Sequence, residues 1–204
     1  MAYLVLMGKA DVCAVILAGG QSSRMGFNKA LLDVGGQPLI CVLIDRIRPL
    51  TDQILISSND SDSYKFLNFP VVPDHFRGHG PLAGFHAAML QNNCSLYLVL
   101  ACDLPNLQPT LLRNLVSFAE GFDAAIPRTR DGLAHPLCAV YRRTCLPSVE
   151  KALRRGSNKV IEIFLDDSLA IRWVDPHEGQ FEDMDLANVN TPEDLRRLKM
   201  SPSP

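Results

Sequence analysis

A glycine-rich loop near the start of the chain carries the residues that most suggest chemistry. The stretch LAGGQSSRMGFNK at 17–29 contains three glycines and two cations, and it directly follows an apolar run at 12–16. Glycines allow a sharp turn with exposed backbone N–H groups, and the cations Arg24 and Lys29 suit triphosphate oxygens. A P-loop needs lysine directly after its last glycine, where Phe27 stands here, and the G-x-G-x-x-G fingerprint is absent. The loop therefore indicates nucleotide binding of another type, and a turn with solvated cations is the alternative.

A carboxylate ends the most apolar run of the sequence. Asp103 closes the run SLYLVLACD at 95–103, which predicts a central strand covered on both faces. Mg²⁺ in proteins prefers one or two carboxylates together with phosphate oxygens, and a carboxylate at a strand end is rigidly held. Asp103 is therefore the best candidate for a metal ligand. An aspartate that caps a helix near Pro105 is the alternative.

Two further polar residues follow shorter apolar runs. Asn59 ends the run at 53–59, and Asp74 ends the run at 69–74. A carboxylate can accept hydrogen bonds from the N1–H and N2–H₂ groups of guanine, a pattern that cytosine and adenine do not present. Both positions are candidates for contacts to the base and ribose of a nucleotide. For Asp74, a turn residue after Pro73 is an equally good interpretation.

Apolar runs and helical periodicities alternate along the chain and define the scaffold for these residues. Strands are predicted at 12–18, 53–59, 69–74, 95–103, 123–127 and 136–141. Helices are predicted at 38–50, 81–91, 109–119 and 146–154. This alternation predicts an α/β fold, a single domain with a mostly parallel sheet and helices on both faces. Such sheets bind ligands at the carboxyl ends of their strands, so the polar residues should meet at one edge.

The length of the chain and its ends suggest domain boundaries. A chain of 204 residues suits one domain. We expect this domain at 12–199, preceded by an arm at 1–11 and followed by a frayed tail at 200–204. Close to the end, Thr191 can cap a last helix, with Pro192 in its first position and Asp194 in the capping box.

Composition narrows the classes of partner. The hydrophobic fraction of 47% is typical of a globular protein. The net charge is −2, so we expect no nucleic acid as a standing partner. No apolar run approaches the length of a membrane span, and the first residues do not resemble a signal peptide. The six cysteines form no C-x-x-C pair and lie mostly in apolar runs, which favours free buried thiols. These features predict a cytoplasmic protein without a membrane partner.

Four further motifs narrow the functional interpretation of the first loop. They are PDHFRGHGPLAG at 73–84, ACDLP at 101–105, AHPLCAVY at 134–141 and NVNTPEDL at 188–195. Together with the loop, these motifs resemble the molybdenum cofactor guanylyltransferases, which have the nucleotide-diphospho-sugar transferase fold. The resemblance covers roughly 12–198, nearly the whole chain. One departure is Asn28, since the family often has an acidic residue directly before its lysine.

The resemblance implies an activity. The family transfers GMP from GTP to the terminal phosphate of molybdopterin, releases pyrophosphate and uses Mg²⁺. The acceptor phosphate is the nucleophile, so catalysis would depend on positioning and on neutralising charge. A transferase of the same fold that uses another nucleotide or another phosphorylated acceptor is one alternative, and a nucleotide-binding protein without catalysis is another. The resemblance also implies contact with a molybdenum-insertion protein or a molybdoenzyme chaperone.

The resemblance also implies roles for individual residues. Lys29 would stabilise the leaving pyrophosphate, Asp103 would bind Mg²⁺, and Arg24 would assist unless it forms a surface ion pair. The GTP-binding residues would be Leu17, Ala18, Gly19, Gly20, Lys29, Asn59, Asp74 and Asp103.

Three residues of the later motifs would contact the acceptor. Asn188 and Asn190 lie two positions apart, so on an extended segment their side chains point to the same side. The family pattern puts both near the metal and the acceptor, and a turn that leads into the Thr191 cap is the alternative. His135 is a candidate for binding the pterin or its phosphate.

Overall fold

All six predicted strands lie in one sheet. The computed structural model describes residues 11–19, 28–165, 168–189 and 194. In chain order, the strands are β1 (Val12–Leu17), β2 (Asp33–Val34), β3 (Gln37–Pro38), β4 (Ile54–Ser57), β5 (Val71–Val72), β6 (Leu96–Ala101), β7 (Ala124–Pro127), β8 (Cys138–Arg142) and β9 (Ile171–Val174).

The sheet is mostly parallel. Within the described ranges, seven strands follow the order β5-β4-β1-β6-β8-β7-β9. Strands β5, β4, β1 and β6 run parallel to one another, and β9 runs parallel to β7. Strand β8 runs antiparallel to both of its neighbours, β6 and β7. The strands β2 and β3 form a separate short hairpin. The carboxyl ends of β5, β4, β1 and β6 therefore meet at one edge, next to one another.

Helices cover both faces of this sheet. The α-helices are α1 (Leu39–Ile47), α2 (Gly80–Gln91), α3 (Pro109–Phe118), α4 (Leu146–Arg154) and the short α5 (Pro176–Gly179). Short 3₁₀ helices lie at Lys29–Leu31, Asp62–Leu67, Arg143–Cys145, Val160–Leu165 and Asp183–Leu186.

Alternate side chains of each central strand enter two separate cores. In β1, Ala14 and Ile16 pack with apolar residues of α1 and α3 on one face. Cys13, Val15 and Leu17 pack with α2 and α4 on the other face. Because both faces are buried, the whole of β1 is apolar, as expected for a strand in the middle of an α/β sheet. The sheet is thereby held rigidly between two helix layers.

Helix α2 approaches the sheet very closely at one glycine. A Cβ atom at Gly84 would lie 2.1 Å from Oγ of Ser57 and 3.1 Å from Cδ2 of Leu17. Glycine at this position lets the backbone of α2 rest against the ends of β4 and β1. The last residue of the motif at 73–84 thus allows α2 to pack closely against the sheet near its carboxyl edge.

The predicted fold class is confirmed, with two additions. The strand β9 and the hairpin of β2 and β3 were not predicted, because their two to four residues carry little apolar periodicity. The predicted arm at 1–11 and tail at 200–204 fall almost wholly outside the described residues, as do Thr191 and Pro192. All six cysteines are free thiols. Among the described helices, none has the length and apolar character needed to cross a membrane.

Candidate nucleotidyl-transfer site

The candidate residues meet at the carboxyl edge of the parallel strands. In the sheet register, Leu17 of β1 pairs with Ser57 of β4 and Ala101 of β6, and Ser57 pairs with Val72 of β5. Two residues beyond these paired positions stand, in order across the edge, Asp74, Asn59, Gly19 and Asp103. Adjacent strands lie about 4.8 Å apart, so this row extends over about 14 Å. An extended nucleotide can lie along such a row.

Lys29 and Asp103 form an ion pair at one end of this row. The ammonium nitrogen of Lys29 lies 3.6 Å from Oδ2 of Asp103, and the two side chains are 16% and 15% exposed. Lys29 begins the 3₁₀ helix Lys29–Leu31, and Asp103 follows β6 directly. The first loop and the central strand thus bring an amine and a carboxylate together in a largely buried position. Asp103 does not cap the next helix, because the residue at the N-cap of α3 is Gln108.

The second carboxylate oxygen of Asp103 is available for a ligand. Its Oδ1 atom is buried and has no hydrogen-bond partner in the described part of the chain. Burial raises the pKa of Asp103, and the nearby Lys29 opposes this effect only in part. A buried carboxylate oxygen without a partner is costly unless a cation or a donor satisfies it. The site therefore has the character of an incomplete cation site.

The donor set fits a magnesium ion better than an all-protein metal centre. Over the described ranges, no three His, Cys, Asp or Glu side chains are grouped as metal ligands. Mg²⁺ commonly binds through one or two carboxylates and takes its other ligands from substrate phosphates and water. Asp103 supplies the one carboxylate that such a site requires.

Asn59 and Asp74 form a reciprocal pair at the other end of the row. Nδ2 of Asn59 donates to Oδ2 of Asp74 at 2.8 Å, and the backbone N–H of Asp74 donates to Oδ1 of Asn59 at 3.0 Å. The amide of Asn59 is thus engaged at both of its ends. Within the described ranges Oδ1 of Asp74 accepts no hydrogen bond, and Asn59 orients this carboxylate.

The backbone after β1 is fixed by its neighbours. The Ala18 N–H donates to the carbonyl of Ser57 at 3.0 Å, and the Ala18 carbonyl accepts from the hydroxyl of Tyr64 at 3.0 Å. Leu17 is buried, whereas Gly19 is exposed at the edge. Tyr64 is not predictable from the sequence as part of this site, because its contact joins two segments that are far apart in the chain.

Asn28, at the position where the family often has an acidic residue, makes structural hydrogen bonds. Its Oδ1 accepts a hydrogen bond from the backbone N–H of Ala30 at 3.1 Å, and its Nδ2 lies 2.9 Å from the hydroxyl oxygen of Tyr64. An aspartate at this position could accept the same hydrogen bond from Ala30. The departure of Asn28 from the family pattern therefore preserves the cap of the segment that carries Lys29.

The segment that carries Asn188 reaches the same edge. The backbone N–H of Val189 donates to the carbonyl of Asp103 at 2.9 Å, and the neighbouring Asn188 is exposed. Gly20, Arg24 and Asn190 lie outside the described residues.

His135 lies at the carboxyl end of β7. Its backbone N–H donates to the carbonyl of Pro127 at 2.9 Å. Its Nε2 atom is buried and unpaired within the described ranges. Burial lowers the pKa of His135, while Asp131 and Asp183 act in the opposite direction. The imidazole is therefore favoured in its neutral form.

A groove of about 670 Å³ lies beyond β7 on this edge of the sheet. Its lining includes two arginines, Arg128 and Arg130, and two carboxylates, Asp175 and Glu182. Arg128 pairs with Asp175 and Arg130 with Glu182, both at 2.6 Å. The segment from Glu182 to Val189 connects this groove with Asp103, because Val189 contacts the Asp103 backbone.

Comparisons with known proteins identify the family of this chain. The family model of the MobA-like NTP transferase domain matches residues 14–169. A relative from Carboxydothermus hydrogenoformans, named probable molybdenum cofactor guanylyltransferase, is 39% identical over 92% of this chain and 95% of its own length. A relative from Desulfosudis oleivorans, named molybdenum cofactor guanylyltransferase, is 30% identical over 92% of this chain and 94% of its own length.

Solved structures show the same fold. The structure of molybdopterin-guanine dinucleotide biosynthesis protein A from Archaeoglobus fulgidus has a TM-score of 0.75 and 26% identity, and the match covers 90% of this chain and 95% of that one. A cytidylyltransferase from Thermus thermophilus, with a TM-score of 0.70 and 17% identity over 92% of this chain and 96% of its own, is similar in fold alone. The family match and the close relatives together establish that this chain belongs to the MobA-like NTP transferase family and is a nucleotidyltransferase.

Proposed function

We propose that this protein transfers GMP from GTP to the terminal phosphate of molybdopterin and releases pyrophosphate. An oxygen of the acceptor phosphate attacks the α-phosphorus of GTP, a new P–O bond forms, and the bond from the α-phosphorus to the bridging oxygen breaks. No serine or cysteine of the protein needs to attack. The observation that carries the proposal is the Lys29–Asp103 pair, a cation and a partly unsatisfied carboxylate on the edge where a nucleotide can lie.

Charge is the main obstacle to this reaction, and Lys29 and Asp103 would reduce it. Two anionic phosphates must meet while negative charge develops on the leaving pyrophosphate. The Lys29 ammonium would bind the phosphates and stabilise that charge from a preorganised position. Asp103 would hold Mg²⁺, which would act as a Lewis acid on the phosphate oxygens. Arg24 is expected to assist from the same loop.

The other end of the row would bind the nucleoside. The backbone of Leu17, Ala18, Gly19 and Gly20 would contact the base and ribose. Asn59 would orient Asp74, whose remaining carboxylate oxygen would accept from N1–H and N2–H₂ of guanine. In this arrangement Asp74 is the residue that selects guanine.

The acceptor would lie on the opposite side of Asp103. Asn188 flanks the contact with the Asp103 backbone, and Asn190 is expected beside it. Neutral His135 would offer its buried Nε2 to the pterin or its phosphate. The nearby groove of about 670 Å³ provides room for the body of an acceptor larger than a simple phosphate. A molybdenum-insertion protein or a molybdoenzyme chaperone would then receive the product.

A transfer assay tests the proposal. The protein is incubated with GTP labelled at the α-phosphate, Mg²⁺ and molybdopterin, and the products are separated. Label in a guanine dinucleotide, with one pyrophosphate per product, is expected. Transfer to a sugar phosphate or another phosphorylated acceptor alone, or transfer from CTP at the same rate as from GTP, would contradict the choice of substrates. Binding of GTP without turnover would contradict catalysis altogether.

A further inference from the structure

Tyr64 contacts both segments that border the first loop. It belongs to the 3₁₀ helix Asp62–Leu67 and is fully buried. Its hydroxyl oxygen lies 3.0 Å from the carbonyl oxygen of Ala18 and 2.9 Å from Nδ2 of Asn28. Ala18 directly follows β1, and Asn28 directly precedes Lys29. One phenol therefore touches the chain immediately before and shortly after the glycine-rich stretch.

The donors and acceptors of this contact fit one consistent arrangement. Oδ1 of Asn28 accepts from the Ala30 N–H, so its Nδ2 is directed to the hydroxyl oxygen of Tyr64. The single hydroxyl proton then goes to the carbonyl of Ala18, which is nearer than Oδ1 of Asn28, at 3.0 Å against 3.2 Å. Burial raises the pKa of Tyr64, so the phenol keeps this proton at neutral pH. Each polar atom of the contact has a partner.

The consequence for the site is a fixed position of Lys29. The Ala18 peptide is held from both sides, because its N–H donates to Ser57 and its carbonyl accepts from Tyr64. Asn28 is held by the same hydroxyl and caps the short helix that begins at Lys29. The ammonium group of Lys29 then lies 3.6 Å from Asp103. Misplacement of a charged group by about 1 Å can cost up to about 100-fold in rate.

We propose that Tyr64 is a positioning residue for the transfer reaction, since its hydroxyl holds Ala18 and Asn28 together and thereby fixes Lys29 opposite Asp103. This inference rests on the proposed function, in which Lys29 stabilises the leaving pyrophosphate. The hydroxyl acts through the backbone and the amide of Asn28, and it makes no contact with the substrates.

The test compares two tyrosines that differ in location. Tyr64→Phe removes only the hydroxyl from this contact. Tyr97→Phe is the matched control, because Tyr97 is also fully buried and its hydroxyl lies 3.0 Å from the carbonyl of Asn92, away from the carboxyl end of β6. Tyr97→Phe should be destabilised at least as much as Tyr64→Phe, since the Tyr97 hydroxyl also accepts a hydrogen bond from the guanidinium of Arg143 at 2.7 Å.

The kinetic result separates positioning from simple stability. We expect Tyr64→Phe to lower kcat of the transfer reaction by about 10-fold, with a smaller change in KM for GTP, because Lys29 acts mainly in the transition state. We expect Tyr97→Phe to remain within about twofold of the wild type. A kcat of Tyr64→Phe within that same range, or an equal loss in both variants, would overturn the proposal.

Hydrogen exchange gives a readout that does not depend on activity. The amide of Ala30 donates to Asn28, so Tyr64→Phe should speed exchange in peptides that cover 28–32 without substrate present. Tyr97→Phe should leave these peptides unchanged. Unchanged exchange at 28–32 in Tyr64→Phe would overturn the positioning role. A wild-type protein without transfer activity would instead overturn the proposed function, while the exchange data would still decide whether Tyr64 holds this segment.

Discussion

Lys29 and Asp103 belong to two different segments of the fold, and their charged atoms lie 3.6 Å apart with both side chains mostly buried. An ion pair of this kind is stabilising only in part, because removal of two charges from water costs nearly as much as their attraction returns. Burial raises the pKa of Asp103 despite the neighbouring amine, so the ion pair does not fully offset the cost of burying this carboxylate. In the proposed function, Mg²⁺ would be a further partner of Asp103 and the nucleotide phosphates would be partners of Lys29.

Replacement of the loop lysine should impair catalysis and spare the fold. We expect Lys29→Ala to lower kcat by about 10²–10³-fold, the effect of losing one preorganised charge donor. Steady-state transfer rates measure this, and circular dichroism checks the fold. Lys65→Ala is the control, because Lys65 is exposed and forms its ion pair with Asp62 and not with a candidate site residue. Turnover of Lys29→Ala within about twofold of the wild type would remove Lys29 from the mechanism.

Replacement of Asp74 should change the choice of base. Inosine triphosphate lacks the N2 amine of guanine, so the wild type should favour GTP over ITP by roughly 10-fold in kcat/KM, as expected for a hydrogen bond to a charged group. In Asp74→Asn this preference should largely disappear. Asp74 would contact the ribose instead of the base if the variant lost activity equally with both nucleotides.

Stability should depend on pH through a buried histidine. His86 is 4% exposed, and its Nε2 lies 3.8 Å from Oε1 of Glu150. Burial lowers the pKa of His86 from 6.5, His75 lowers it further, and Glu150 only partly opposes this. The unfolded chain therefore binds a proton more readily than the folded one, so the free energy of unfolding should fall as pH drops from about 6.5 towards the lowered pKa.

Urea unfolding at about pH 7.5 and about pH 5.5 measures the contribution of this histidine. His86→Gln should lose less stability than the wild type between these two values, because it lacks the group that must be protonated. His177→Gln is the control, since His177 is exposed on α5. Equal losses in the wild type and His86→Gln would show that burial of His86 does not couple folding to pH.

A methyl group on the close face of α2 should destabilise the protein. Alanine normally stabilises a helix by about 1 kcal/mol relative to glycine. At Gly84 the added Cβ would lie 2.1 Å from Oγ of Ser57, so we expect Gly84→Ala to lower the free energy of unfolding by about 1–3 kcal/mol. Ser57→Ala in the same chain should recover part of the loss, which a double-mutant cycle measures. A more stable single variant would contradict the close approach.

The sequence was sufficient to predict the scaffold and the edge of the sheet on which several candidate residues lie. Buried strands such as β1 and β6 are apolar throughout, and this pattern is visible without a structure. The rule that ligands bind at carboxyl ends of parallel strands then led directly to Asn59, Asp74 and Asp103. Their roles in binding remain proposals, whereas their common edge is a feature of the fold.

Other features depend on contacts that local patterns do not contain. Strand β8 is antiparallel because the chain returns directly from β7 to pair with it as its neighbour, and apolar periodicity does not encode this direction. The contact of Tyr64 with Ala18 and Asn28 joins residues far apart in the chain. A tyrosine in a polar segment gives no sign of such a partner, so only the three-dimensional structure shows it.

The most direct test of the account is a crystal structure with a non-hydrolysable GTP analogue and Mn²⁺ in place of Mg²⁺. We expect the anomalous signal of manganese beside the Asp103 carboxylate, the phosphates against the ammonium group of Lys29, and the guanine at Asp74. An analogue bound elsewhere, with no phosphate at Lys29 and no metal ion at Asp103, would contradict the central claim.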